Sequence, residues 1–584
     1  MGVQQTGRVV ALIVTAGLPV AAMAQGDPLG QPFPDELHVD ELDGGIGFTI
    51  DGLPTLSGLG ASVSDAGDLN GDGVDDFIVA RANDVDNGAM YVVFGAADGF
   101  PPVIDVADLT GDNGFPIDGF EPADLSGRTV ARAGDVNGDG IDDIVIGAER
   151  ADDFDGRASV LFGRTTGFPA VLALADLDGS DGFNLLGELG IGKGLGSAVA
   201  AAGDINGDGI DDLIVGSDRY YGGDLESGAA DVIFGRTTGF AASARVDDLV
   251  NGRDGFRVFG VGRRQNLGRS VAPAGDVNGD GFDDVIIGST DWQDDPYYGG
   301  ARAGAAYVIY GRGTAFPPGI SVSRLSGLGF EIRGETRYGS FGDAVSAAGD
   351  LNGDGIDDVL IGAPGEITPV GFAGAAYVIY GRAPSEPPFP ELLSVDGLPP
   401  QSGVKFNGMA IGDQTGRSVA TLGDINGDGR DDVAIVAWGV GSPYAGATYV
   451  LYGRADDFPG DVQLGTLESD SGFRIRGSGI NDRFGWALSS AGDVNGDGVR
   501  DILVGAPFAE ESGGASTGQA YVIYGRSASC PADLDGDGEL TVFDFLEFQN
   551  LFDAGDDRAD FDEDGRLTLF DFLAFQTAFD AGCD

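Results

Sequence analysis

Short apolar runs of four to eight residues, rich in β-branched and aromatic side chains, recur along the chain, each bounded by Gly, Asn, Asp or Pro. Such runs predict strands, and no helical period appears among them. One unit contains Gly329-Phe330-Glu331-Ile332-Arg333-Gly334, a loop, the inner run Asp343-Ala344-Val345-Ser346-Ala347-Ala348, a polar loop, Asp358-Val359-Leu360-Ile361-Gly362, a variable loop, and Ala375-Ala376-Tyr377-Val378-Ile379-Tyr380-Gly381. The inner runs are made of small residues, as in Ser197-Ala198-Val199-Ala200-Ala201-Ala202, which suits strands crowded around an axis. The polar loop reads Gly-Asp-Φ-Asn-Gly-Asp-Gly-x-Asp-Asp, and its copies begin at Asp68, Asp135, Asp204, Asp276, Asp350, Asp424 and Asp493, a period of 67 to 74 residues. Four strands in each of seven units predict an all-β, seven-bladed β-propeller over residues 33–527; a β-helix or a sandwich is the alternative. Gly47-Phe48-Thr49-Ile50-Asp51-Gly52 reads as an outer strand placed before the first inner one, while the seventh unit ends at Tyr521-Val522-Ile523-Tyr524-Gly525 without one. The N-terminal segment is therefore expected to complete the last blade.

Oxygen donors alternate through each polar loop. Counted from its first Asp, positions 1, 3, 5 and 9 offer side-chain oxygens and position 7 offers its backbone carbonyl. The first copy supplies Asp68, Asn70, Asp72, Val74 and Asp76, and the second Asp135, Asn137, Asp139, Ile141 and Asp143. The third and fourth supply Asp204, Asn206, Asp208, Ile210 and Asp212, then Asp276, Asn278, Asp280, Phe282 and Asp284. The last three supply Asp350, Asn352, Asp354, Ile356 and Asp358; Asp424, Asn426, Asp428, Arg430 and Asp432; and Asp493, Asn495, Asp497, Val499 and Asp501. Hard oxygen donors on a tight turn, with Gly at position 6 free to take positive φ, describe a Ca²⁺ site, whereas Mg²⁺ prefers octahedral geometry and retained waters. Asn-Gly and Asp-Gly also make metal-free hairpin turns. Seven copies that all keep oxygens at 1, 3, 5 and 9 favour the ion. The seventh loop carries Arg500 at position 8, which lowers local negative charge and removes no proposed ligand.

Phe341-Gly342 through Gly362-Ala363-Pro364, and Phe484-Gly485 through Gly505-Ala506-Pro507, resemble the FG-GAP repeats of integrin α-subunit propellers. The resemblance implies Ca²⁺ in hairpin loops on one face of a seven-bladed propeller and partner-binding loops on the other. Integrins carry such loops in only some blades, and all seven carry them here. No integrin-type membrane helix follows, so a receptor function is not expected to transfer.

Beyond residue 527 the pattern changes. Asp533, Asp535, Asp537, Glu539, Thr541 and Asp544 form one twelve-residue oxygen-bearing loop, and Asp560, Asp562, Asp564, Arg566, Thr568 and Asp571 form a second, with Arg566 offering its carbonyl. Each has Gly at position 6 and leads into an apolar-periodic helix, the EF-hand pattern. Asp at position 12 and the near-identical halves resemble a dockerin, so residues 528–584 are expected to form a small all-α EF-hand/dockerin-like domain. The resemblance implies two more Ca²⁺ sites and a cohesin-like partner. The Lys-Arg pair usual in dockerin recognition is replaced by Glu547-Phe548-Gln549 and Ala574-Phe575-Gln576.

Charge narrows the partners. Thirty-three basic against ninety-four acidic residues give a net charge of −61, a field that repels nucleic acid and anionic lipid. Arg8, the apolar run Val9 to Ala22 and Ala22-Met23-Ala24 read as a secretory signal over residues 1–24, with a linker over 25–32. No other segment is long enough to span a bilayer. In an exported chain Cys530 and Cys583 read as a disulfide closing the last module. No catalytic constellation emerges. His38 is the single histidine, Gly514-Ala515-Ser516-Thr517-Gly518 falls in a loop between strands rather than at a strand-turn-helix, and Gly192-Lys193-Gly194 lacks the Ser/Thr of a phosphate loop. The expected function is adhesion or recognition of an extracellular protein or carbohydrate on the face opposite the Ca²⁺ loops. Tyr220, Tyr221, Trp292, Tyr297, Tyr298, Trp438 and Tyr444, with Arg263, Arg264 and Arg337, are the candidate patch. A secreted glycoside hydrolase or lyase is the alternative.

Overall fold

The computed structural model describes residues 33–526, apart from 54–57, 82–87, 190–192, 220–226, 263–264, 291–302, 335, 442–443, 456–457, 468 and 511–516. In the C-terminal part it describes 534, 542–554, 559, 561 and 566–581. Seven sheets ring a common axis as a seven-bladed β-propeller. Each sheet has five strands where the sequence pattern predicts four. The fifth is two or three residues long, pairs parallel to the fourth, and comes from the segment between the third and fourth strands of the next blade; Ser243–Arg245 on Gly182–Leu186 is an example. Its brevity explains why periodicity misses it: three residues such as Ser243-Ala244-Arg245 carry no alternation. It covers an edge that would otherwise be open to pairing with another chain.

Ring closure follows the expected route and goes one strand further. Gly47–Asp51 pairs antiparallel with Gln519–Ile523, supplying the fourth strand of the last blade, which is numbered blade 7 here. Glu36–His38 pairs parallel with Gly472–Arg476 as the fifth strand of blade 6. Phe33 fixes this register: it stacks on Phe473 at 4.1 Å and lies under the Arg526 guanidinium at 4.7 Å. The same device repeats around the ring. A phenylalanine of the fourth strand meets one just ahead of the fifth, as in Phe183 with Phe240 at 4.1 Å and Phe256 with Phe316 at 4.3 Å, and an arginine caps the second ring, as Arg236 caps Phe240.

Apolar side chains of adjacent blades interleave; Phe48, Ile50 and Val522 of blade 7 pack on Phe77, Val79 and Tyr91 of blade 1. Each fully buried side chain of this size contributes roughly 1.5–3 kcal/mol. At the C-terminal end, helices Val542–Ala554 and Leu569–Ala581 fit a small α domain. Phe548 and Phe575 are buried in it and stack at 4.5 Å, so these phenylalanines pack within the module.

Candidate functional site

The acidic loops join inner strand to second strand at one end of every blade. In all seven the position 1 carboxylate accepts the N–H groups of positions 5 and 6; in the fifth copy these are Asp354 N and Gly355 N onto Asp350, at 2.9 and 2.8 Å. Position 5 accepts the N–H of position 7, as Asp354 does from Ile356 at 3.0 Å. Position 9, fully buried, accepts the N–H of the glycine ending the third strand, as Asp358 does from Gly381 at 2.8 Å. The Asp-rich loop and the Tyr-Gly signature are thus two halves of one contact.

Position 8 has a role that sequence reasoning missed. Its carboxylate reaches into the preceding blade and accepts the N–H of that blade's position 1. Asp142 accepts from Asp68, Asp211 from Asp135, Asp283 from Asp204, Asp357 from Asp276, Asp431 from Asp350, and Asp75 from Asp493, all at 2.8–3.1 Å. The glycine ahead of each position 1 makes room for it: Gly349 has φ +60°, and a Cβ there would lie 2.0 Å from Asp431 Oδ2. Blade 7 breaks the series, because Arg500 stands at position 8 and lies against Gly423 instead.

Burial pushes the carboxyls of Asp76, Asp143 and Asp212 up to about 8, and the charges of positions 1 and 5 push the same way against the backbone N–H donors. Asp284, Asp358, Asp432 and Asp501 are raised well above the ordinary value for the same first reason. Asp358 Oδ2 is buried without a hydrogen-bond partner among the described residues, whereas the same oxygen of Asp143, Asp432 and Asp501 accepts the N–H of position 2. Among the described residues no three acidic, His or Cys side chains converge as a ready-made metal cage.

In the C-terminal module Asp544 and Asp571 are buried at the starts of their helices and accept backbone N–H groups from Leu534 and Thr568, while Arg566 is exposed. Asp533, Asp535, Asp537, Glu539, Thr541, Asp560, Asp562 and Asp564 lie outside the described residues, as do Cys530, Cys583 and the segments 1–24 and 25–32.

At the opposite end of the axis the inner strands begin, and there the structure builds a cup of about 460 Å³. Each blade enters it through an X-Gly step, where X is Leu or Phe except for Ser126 and Thr415, and the glycine has φ between +78° and +86°. The residue after that glycine faces the cup in every blade: Ala61, Arg128, Ser197, Arg269, Asp343, Arg417 and Trp486. Trp438 stacks on Trp486 at 4.5 Å, Phe508 meets Trp486 edge-on at 5.5 Å, and Trp438 Nε1 donates to the Gly485 carbonyl. Arg483 lies over all three rings and Arg417 over Trp438. Arg417 pairs with Asp343, which Arg269 approaches at 3.9 Å.

Of the patch expected from sequence, Trp438 belongs to this cup. Tyr444 is exposed in a loop at φ +58°, and Arg337 lies over exposed Tyr338 at 4.9 Å. Tyr220, Tyr221, Trp292, Tyr297, Tyr298, Arg263 and Arg264 lie outside the described residues. His38 contacts Glu36 on the ring-closing strand, and Lys193 is buried against Glu188.

Six segments match the FG-GAP repeat family: residues 126–161, 195–233, 267–309, 341–379, 415–451 and 484–523. With these repeats folded as seven blades, the body of the chain is an integrin-like FG-GAP β-propeller. Integrin alpha pat-2 of Caenorhabditis elegans is 33% identical over 246 residues, covering 41% of this chain and 18% of that protein. Integrin alpha-V of Gallus gallus is 30% identical over 249 residues, covering 42% and 20%. Phosphatidylinositol-glycan-specific phospholipase D of Rattus norvegicus is 36% identical over 184 residues, covering 31% and 20%. The chain thus spans about a fifth of the length of these relatives.

Proposed function

We propose that the protein is a secreted, Ca²⁺-stabilised propeller that recognises an extracellular protein or carbohydrate and is held to a scaffold or cell surface by its C-terminal module. The observation that carries this reading is the asymmetry of the two ends. One end repeats the same oxygen-bearing loop seven times, and the other varies the residue that each blade presents to the axis. Constancy at one end suits a structural ion, and variation at the other suits recognition.

The loop residues fit Ca²⁺. All side-chain donors are oxygens, the position 9 carboxyls are strongly disfavoured as free anions, and Asp358 keeps an unsatisfied buried oxygen. Positions 1, 3, 5 and 9, with the position 7 carbonyl, would hold the ion, which supplies charge compensation and a cross-link between strands. The dockerin-like module would take two more ions and a cohesin-like partner. No described helix is long and apolar enough to cross a membrane.

The phospholipase D relative favours a second reading, an enzyme on the same scaffold, here one acting on polysaccharide. Incubation of the Ca²⁺-loaded protein with immobilised matrix proteins and soluble polysaccharides separates them. Saturable capture with polymer length unchanged supports recognition; polymer shortening replaces it with the enzymatic reading.

A further inference from the structure

We propose that the axial cup binds an acidic carbohydrate, seating a uronate-type pyranose against the Trp438, Trp486 and Phe508 wall with its anionic group toward Arg128 and Arg483. The proposal rests on the recognition reading above and deepens it by naming the site and the ligand class.

Charge is the first argument. The chain carries 94 acidic and 33 basic residues, and about half of the described arginines, Arg132, Arg257 and Arg476 among them, pair with a carboxylate. Arg128 has no carboxylate partner among the described residues, and the described contacts of the Arg483 guanidinium are with aromatic rings. Arg269 and Arg417 add two more guanidiniums and share Asp343 between them, and Arg269 also pairs with Asp218 at 3.6 Å. Four of seven blades therefore bring an arginine to the cup or its rim, facing the carboxylates of Glu149 and Asp343 in its lining and of Asp218 behind Arg269, which leaves Arg128 and Arg483 as the guanidiniums open to a ligand. Forked guanidiniums on a concave wall select carboxylate or sulfate over neutral groups.

The wall is the second argument. Phe508 is 44% exposed, and the Trp486 indole N–H has no hydrogen-bond partner among the described residues, whereas that of Trp438 is committed to Gly485. A pyranose offers a flat C–H face to such rings and hydroxyls to the free indole N–H and to Ser197 and Ser418 at the cup wall. An acidic peptide side chain would use the arginines and leave the aromatic wall uncovered. Size agrees: a cavity of about 460 Å³ is of the order of a small-ligand site. Protein interfaces instead need roughly 800 Å² of complementary surface per partner.

The test uses the full chain at fixed free Ca²⁺, with trigalacturonate as probe and maltotriose as the neutral control, read by calorimetry and tryptophan fluorescence. Trigalacturonate is expected to bind at least about tenfold tighter than maltotriose and to weaken as salt is raised. Arg128→Ala and Trp486→Ala are each expected to weaken it by about tenfold or more with Ca²⁺ content as in the wild type; Arg128→Ala should also melt as the wild type does, while Trp486→Ala loses its stack on Trp438 and should melt somewhat lower. No binding of trigalacturonate, equal binding of maltotriose, or unchanged binding by both variants overturns the proposal. If matrix proteins or neutral polysaccharides are then captured equally by wild type and both variants, the recognition reading stands and the cup proposal alone falls. If nothing is captured and polysaccharide is shortened, both fall.

Discussion

Replacing Asp431 by Ala removes one clasp between blades without touching a proposed metal ligand. Asp431 Oδ2 accepts the Asp350 N–H at 3.0 Å, a half-buried, charge-assisted bond. Hydrogen bonds to charged groups contribute about 1.5–3 kcal/mol. Part of that is offset, because Asp431 also repels Asp357 and helps to raise its carboxyl. The expected loss is therefore about 1–2 kcal/mol, read by equilibrium denaturant unfolding at saturating Ca²⁺. Arg500→Ala is the internal comparison, since Arg500 occupies the same position and the Asp424 N–H opposite has no acceptor among the described residues; it should cost less than about 0.5 kcal/mol. Native mass spectrometry should find the same number of bound ions in both variants as in the wild type. Gly349→Ala extends the argument, because its Cβ would meet the Asp431 carboxylate; its cost should shrink in the Asp431→Ala background, and the positive φ accounts for the remainder. Equal losses for Asp431→Ala and Arg500→Ala would refute the clasp. Loss of one ion on Asp431→Ala would instead make position 8 a ligand.

The remaining predictions concern the ions and the ring closure. Asp76, Asp143 and Asp212 keep protons up to about pH 8 in the metal-free fold but ionise near 3.8 when unfolded, so the fold binds more protons between those values. Stability of protein freed of metal by chelation and dialysis should fall as pH rises from 5 to 8, and Ca²⁺ should abolish that fall; thermal unfolding that shows the metal-free protein gaining stability over this range would contradict the buried-carboxyl argument. Asp358→Asn should lower the ion count by one in native mass spectrometry, and an unchanged count would remove position 9 from the ligand set. Phe33→Ala deletes the ring that stacks on Phe473 and should cost about 3 kcal/mol in denaturant unfolding; a loss below about 1 kcal/mol would show that the blade 6 edge strand contributes little to closure.

The blade count was legible because the acidic loop recurs seven times with unvarying spacing of its oxygens, and the closing strand because Gly47 to Gly52 has a fourth-strand sequence in a first-strand position. Two features escaped for one physical reason: their partners lie in the neighbouring blade. The position 8 aspartates look like a fifth acidic group of their own loop, yet Asp431 acts on Asp350, 81 residues earlier. Arg500 therefore read as a mere change of local charge, when its larger effect is to leave one of seven junctions without a clasp. The axial cup is a similar case. Ala61, Arg128, Ser197, Arg269, Asp343, Arg417 and Trp486 are far apart in sequence, and only the ring brings them onto one wall. A usable signal did exist: the residue after this glycine is Ala, Ser, Asp, Trp or, in three blades, Arg, while the Gly before it and the small residues after it hold steady. In a repeat protein the fold is written in what the copies share. What sets one blade apart from the next is written where the copies differ, and one such position faces the axis.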